Sequence, residues 1–415
     1  MRRMFRLYAA LPASLWSILA VQCLMNTSHF MAIPMFAVYM ANGLGFGASE
    51  IGIVMAANIV ARQTLPALAG FLVDRFGARR FMVSGLLLRA AGSAAFCYGT
   101  SWPMLGLVAA VIGLGSALYD SAAQGIIARH PGDLAAKGFV VNYQMLNIGA
   151  IIGPLLGALM LLIDLKAVFL VSAALAAGLA VMSLWQKTPA GGHEPPSVLV
   201  SAMRVFSNIP FLVLAVASIP WWFMLQQLFA AFPLHFENLA GERSVPFLFA
   251  VNALVGIAFM PISMLVMEKI SPAASMLLCY GLLAVLYAAM PLVHGASAFL
   301  GFIVLFSMLE IVITPAIEVC ATKLADKGSE AAYLGIVSLC WAIGGGAGYY
   351  AGTPVMADSP QAYWILMAGT ALAGIIAMAG YFACDHAKFE RSPAPTNADA
   401  CKVLKPEPPG ASWQP

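Results

Sequence analysis

Charge is what this sequence has least of. Only 9% of its 415 residues are Asp, Glu, Lys or Arg, whereas a soluble domain carries roughly 25%. With 61% hydrophobic residues and a mean hydropathy of +0.88, the chain cannot cover its own surface with polar groups, so lipid has to do it. A net charge of +3, without a basic patch interleaved with aromatics, excludes a nucleic-acid partner. Cysteine is sparse too: seven residues, with no C-x-x-C pair and most of them inside apolar runs. They read as small hydrophobes, which excludes a disulfide or zinc framework. H-E-x-x-H, a glycine-rich phosphate loop and a Ser/His/Asp arrangement are all missing. The chain therefore reads as neither an enzyme nor a metal or cofactor protein.

What is present is long apolar runs. A span across about 30 Å of hydrocarbon takes some 20 residues, and such runs fall at 14–40, 50–72, 80–100, 103–128, 139–163, 167–186, 209–236, 246–267, 273–292, 297–322, 331–355 and 361–384. The expected fold is an all-α membrane protein of twelve spanning helices. The start, with Arg2, Arg3 and Arg6 ahead of an apolar run, reads as a retained first span rather than a cleaved signal. Loops on the side of the termini carry nearly all of the 21 Lys and Arg residues, whereas the other side holds Lys166 and Arg243. The positive-inside rule then places both termini in the cytoplasm. Residues 1–186 are expected as one six-helix bundle, 187–207 as a cytoplasmic linker, and 208–384 as a second bundle. Residues 385–415, rich in Pro and Ala, are expected as a disordered tail.

The chain also repeats. At a shift of 194 residues, Asp74-Arg75 lands on Glu268-Lys269, and Ser116, Asp120 and Gln124 land on Glu310, Thr314 and Glu318. At 195, Gly149, Gly153 and Gly157 land on Gly344, Gly348 and Gly352. Two six-helix halves with matched special positions are what parallel-repeat transporters show.

The loop after the second span reads Gly70-Phe-Leu-Val-Asp74-Arg75-Phe-Gly77-Ala-Arg79-Arg80. It resembles the signature loop of the major facilitator superfamily, departing mainly at Ala78. On the residues alone, Gly77 permits a tight turn and Asp74 can latch a base. Gly149, Gly153, Pro154 and Gly157 on the fifth span are similar to the antiporter motif that marks proton-driven exporters in that superfamily, with Ala158 in place of its last glycine. Those glycines also make a smooth face for close helix approach. Longer stretches, among them Arg89-Ala-Ala-Gly and Ala342-Ile-Gly-Gly-Gly, resemble the MdtH-type multidrug resistance proteins of the drug:proton antiporter group. The arginine usual in the fourth span of such proteins is missing, Ala109 lying about where it would fall.

The resemblance implies a monomeric exporter in the bacterial inner membrane. It would need no cofactor, would be driven by the proton gradient, and would have lipid, protons and a small organic solute as its partners. Ionisable groups inside spans are functional candidates by default. Glu310, near the middle of the tenth span, is the leading proton carrier, because a carboxyl surrounded by hydrocarbon is costly to ionise; a permanent pair with Arg62 is the other reading. His29, in a polar stripe with Gln22 and Asn26, is a second coupling candidate. Asn26, Arg62, Tyr143, Asn147, Trp222 and Gln226 are candidate substrate contacts, mixing aromatic faces with polar groups. Gate networks are expected between Asp120 and Arg79 or Arg80, and between Glu318 and Lys269 beside Glu268. Arg89 is expected to tie the third span to a neighbour. The cargo reading is a drug or drug-like solute, with an anionic metabolite such as a carboxylate siderophore as the alternative.

Overall fold

The structure, a computed structural model, describes residues 11–66, 77–128, 130, 133–161, 163–164, 166–186, 205–241, 244–325 and 330–383. Gly70, Asp74 and Arg75 of the signature loop, most of the expected linker and the expected tail lie outside the described residues.

Among the described residues there are twelve long helical segments. The first half holds α1 (Ala13–Val38), α2 (Ala48–Thr64), α3 (Ala78–Phe96), α4 (Trp102–Ala128), α5 (Asp133–Leu161) and α6 (Ala167–Leu184). The second half opens with α7 (Ile209–Leu225), which runs through a 3-10 turn into Ala231–Ala240. It continues with α8 (Val245–Lys269), α9 (Pro272–Ala289) and α10 (Ala296–Leu324). Last come α11 (Glu330–Ala347), which passes through a π turn into Thr353–Asp358, and α12 (Pro360–Ala383). Nine segments are long and apolar enough to cross a membrane by length and composition; α2, α3 and α8 fall outside that set. These nine helices are predominantly apolar, as helices that cross hydrocarbon are. Their outward positions, such as Leu107, Val285, Ile365 and Ile376, are exposed and would face lipid.

The helices pair in the same way in both halves. In the first half α1 packs on α5 and α6, α2 on α4, and α3 on α4 and α6; in the second, α7 packs on α11 and α12, α8 on α10, and α9 on α10 and α12. The repeat seen in the sequence is thus a repeat of packing. Across the halves, α2 lies along α11 and α5 meets α8. Phe30 packs on Phe229, and Asn42 donates to Glu237 Oε1 at 2.8 Å. One buried apolar core runs from the second half into the first around Tyr39, Phe96, Ile112 and Phe169. Around Leu15, Met82, Tyr119 and Ile127 the first half has a separate core of its own. The halves are therefore joined through apolar packing at the end where α1 turns toward α2, and their cores are separate at the other.

Glycine sets the closest approaches. A Cβ on Gly149 would lie 2.6 Å from Asn26 Cβ, on Gly153 2.7 Å from Thr27 O and on Gly157 2.6 Å from Met31 O. In α11 and its π turn the matched glycines do the same against α7: Gly348 would meet Phe223 O at 2.5 Å and Gly352 would meet Gln227 Oε1 at 2.5 Å. Contact between α1 and α5, and between α7 and α11, is nearly backbone to backbone, as small residues allow. Gly77 enters α3 with φ +89°, the left-handed conformation that its expected tight turn calls for.

Gly153→Val should force α1 and α5 apart, and overpacking of this kind costs about 1–3 kcal/mol. A fall in melting temperature of several degrees in detergent is expected, whereas Gly178→Ala, where a Cβ would meet nothing within 4 Å, should leave the melt unchanged.

Candidate functional site

The polar stripe of α1 faces the interior of the first half, where α2, α3 and α4 each bring a polar or charged side chain to meet it. Arg62 of α2 donates from Nη2 to Asp120 Oδ2 of α4 at 3.1 Å. Through Nη1 it contacts Nε2 of His29. Gln22 Nε2 donates to the other Asp120 oxygen at 3.4 Å. On the far side of the imidazole, Arg89 Nη1 of α3 lies 3.2 Å from His29 Nδ1 and donates to Ser116 Oγ at 2.7 Å. His29 is thus held between two guanidinium groups, one on each ring nitrogen. Arg89 is 1% exposed, whereas the Arg62 and Asp120 side chains keep 15% and 18% exposure. The pair Arg62–Asp120 is the one ion pair among the described residues.

In the second half the matching place is built differently. Asn252 of α8 donates to Ser307 Oγ at 2.8 Å and to Glu310 Oε2 at 3.0 Å. Its repeat mate, Asn58 of α2, donates to Ala109 O of α4 at 2.8 Å. The same amide therefore ties the second helix to the fourth in each half, but only the second half places a carboxylate beside it. The 194-residue shift relates Asn58 to Asn252, so the same repeat that matched Ser116, Asp120 and Gln124 carried the signal for this pair.

Three expected pairings are replaced. Asp120 does not reach Arg79 or Arg80; it pairs with Arg62, because α2 packs directly on α4 in the same bundle. Arg62 is consequently not the partner of Glu310, whose polar neighbour is Asn252. Arg79 instead donates to Gln186 O just past the end of α6 at 2.5 Å, where a cation suits a helix C-terminus, and Arg80 is exposed. Lys269 is exposed at the end of α8 and forms no ion pair with Glu318.

The expected substrate contacts are mostly packed away. Asn26 is 2% exposed and donates to Gln22 O one turn back. Trp222 stacks on Trp341 at a centroid distance of 4.3 Å, tying α7 to α11, and Gln226 accepts from Tyr349 at 3.4 Å. Tyr143 and Asn147 lie on α5 and Glu268 lies on α8; their side chains fall outside what the structure describes. Glu318 lies two turns beyond Glu310 on α10 and is half-buried. A separate cavity of about 250 Å³ at one end of the second half is lined by His235, His294, Phe299 and Trp364 among others, and no expectation from the sequence pointed to it.

The sequence pattern of the Major Facilitator Superfamily matches residues 18–349. The chain belongs to the major facilitator superfamily. It is a multi-pass membrane transporter and not an enzyme. A multidrug resistance protein MdtH of Yersinia pestis (strain Pestoides F) is 27% identical over 374 residues, 85% of this chain and 90% of the relative. The MdtH of Aeromonas hydrophila is 26% identical over 347 residues, 81% of this chain and 86% of that protein. An uncharacterized MFS-type transporter of Mycobacterium tuberculosis is 29% identical over 238 residues, 56% of this chain, so the match spans only 57% of that relative. Among solved structures, the nucleoside transporter NupG superposes with a TM-score of 0.75 at 14% identity, covering 89% of this chain and all of that one. A POT family transporter bound to a thioalcohol-conjugated peptide gives 0.73 at 17% identity, covering 92% and 97%. At such identities these two structures carry the superfamily fold alone.

Removing one partner of a buried ion pair strands the other, at a cost of about 3–5 kcal/mol. Arg62→Gln and Asp120→Asn should each lower the melting temperature clearly, and the double variant should recover part of the loss. The same cycle between Asp120 and Arg79 should show coupling within error of zero, as it does for groups without a shared partner.

Proposed function

We propose that this superfamily member is a proton-coupled exporter of drugs or drug-like organic solutes, working by alternating access in the bacterial inner membrane with both termini in the cytoplasm. The observation that carries the reading is the environment of Glu310. It is a carboxylate in the middle of a spanning helix whose polar neighbour is an amide, Asn252, and it forms no ion pair among the described residues. An amide can donate to the charged carboxylate and accept from the neutral acid, so it supports both protonation states. A guanidinium partner, such as Asp120 has in Arg62, would favour the charged form. Glu310 is therefore free to load and unload a proton.

In this mechanism the solute enters from the cytoplasm between the halves and is favoured while Glu310 is ionised. A proton arriving from outside neutralises the carboxylate and weakens that hold. The halves then rock about the centre, with the glycine-lined contacts of α1 with α5 and α7 with α11 keeping each half rigid. Each charge moved across the membrane gains about 2.3 kcal/mol per 100 mV, enough for a solute gradient of roughly fifty-fold. The resemblance to MdtH proteins, named for multidrug resistance, favours drug-like cargo.

In inverted vesicles, lipophilic cations should collapse an imposed pH gradient in the wild type. Glu310→Gln, present in the membrane at the same level, should slow that collapse at least ~10-fold, the usual least contribution of a proton-transfer group being near 10²-fold. Wild-type collapse rates in the Gln variant would rule Glu310 out as the proton carrier.

A further inference from the structure

The cluster in the first half does not balance. Among the described residues one carboxylate, Asp120, stands beside two guanidinium groups: Arg62 pairs with it directly, and Arg89 joins the cluster through His29 and Ser116. With His29 neutral, that leaves one positive charge uncompensated inside a spanning bundle, where a lone charge is costly. Hydrogen bonding does not balance either. Both ring nitrogens of His29 face arginine N–H groups, which only donate. A neutral imidazole accepts at one nitrogen only, and protonation would remove that acceptor and add a third cation. At least one guanidinium N–H is therefore set against a ring that cannot receive it. Arg89 adds a further unmet donor: its Nε is buried and has no partner. The second half carries nothing comparable, since the repeat positions of Arg62 and Arg89 are Gly256 and Leu283.

We propose that the Arg62–Arg89–His29 cluster is a binding site for one monovalent anionic group, either a carboxylate or a halide. One negative charge brings the cluster to neutrality, and its lone pairs supply the acceptors that the two arginines lack. Such a group reaches the cluster past Arg62 and Asp120, the members that keep some exposure. It seats beside Arg62, against the arginine contact that His29 cannot satisfy. A divalent anion would overshoot the charge. The same chemistry belongs to a free inorganic anion and to the carboxylate of an organic cargo, and the two are separable by competition.

The test is thermal unfolding of the purified full chain in detergent, titrated with sodium chloride, acetate, benzoate and sulfate at matched ionic strength. A saturable rise in melting temperature with the monovalent anions is expected, independent of whether the cation is sodium, potassium or choline. Asp120→Asn, which leaves a second charge uncompensated, should tighten the apparent affinity on the order of ten-fold, whereas Arg62→Gln should weaken it by a similar factor. Arg89→Gln should weaken it as well; if that variant does not fold, the opposite signs of the other two decide. Tightest binding by chloride assigns the site to a resident inorganic anion. Tighter binding by benzoate, with chloride competing, assigns it to a cargo carboxylate. A melt that shows no saturable anion dependence, or one that all three variants leave unchanged, overturns the proposal. Because binding is read without transport, its failure would leave proton-coupled export through Glu310 standing, and the reverse also holds.

Discussion

A guanidinium inside a bundle of spanning helices has to be surrounded by acceptors and, where possible, by negative charge. Arg62 and Arg89 impose that demand on most of the first half. Meeting it draws His29 from α1 and Ser116 and Asp120 from α4 toward the arginines of α2 and α3, while Gln22 of α1 donates to Asp120. Four helices are thereby fixed in register by polar contacts where apolar packing alone would tolerate sliding. In hydrocarbon the alternative to these bonds is an unsatisfied polar group at several kcal/mol, so the register is strongly specified. The second half has no such cations, and its single Asn252–Glu310 contact leaves a carboxylate whose protonation disturbs no ion pair.

The two halves thus share a scaffold and divide the chemistry. The shared part is geometric: the helix pairings, the glycine faces against α1 and α7, and the Asn58 and Asn252 ties between the second and fourth helices of each half. The divided part is electrostatic: two guanidinium groups lie in one half and a carboxylate beside an amide lies in the other. Under the proposed mechanism, such an arrangement gives a transporter a rigid half-unit and a separate place where protonation changes the energy. Both are needed for rocking between states, because packed interfaces switch between arrangements and do not deform continuously.

Much of this was legible in residue patterns. The apolar runs located the helices to within a few residues, since hydropathy over a span is a sum over neighbours along the chain. The glycine spacing announced a face for close helix approach on the fifth and eleventh spans, because residues four apart share a helix face; that α1 and α7 fill those faces was decided by the packing. Pairings between helices were less legible. Asp120 was expected to reach Arg79 because both were placed near the same membrane face; α2 packing on α4 put Arg62 closer. Trp222 and Gln226 read as a pocket from their mixture of aromatic and amide groups, yet their helix turns them into the α7–α11 seam, where Trp341 and Tyr349 cover them.

The sequence by itself determined that this chain crosses a membrane repeatedly, is built of two related halves and belongs with the major facilitators. The first two follow from composition and from a repeat, which are properties of the chain read in order; the third was implied by the resemblance of the 70–80 loop and is shown by the family match over residues 18–349. Which arginine neutralises Asp120, why Glu310 keeps only an amide beside it, and why His29 ends between two cations were decided by the tertiary structure alone. Charge pairing in a bundle depends on which helix faces meet, and residues more than fifty positions apart meet only once the helices have packed.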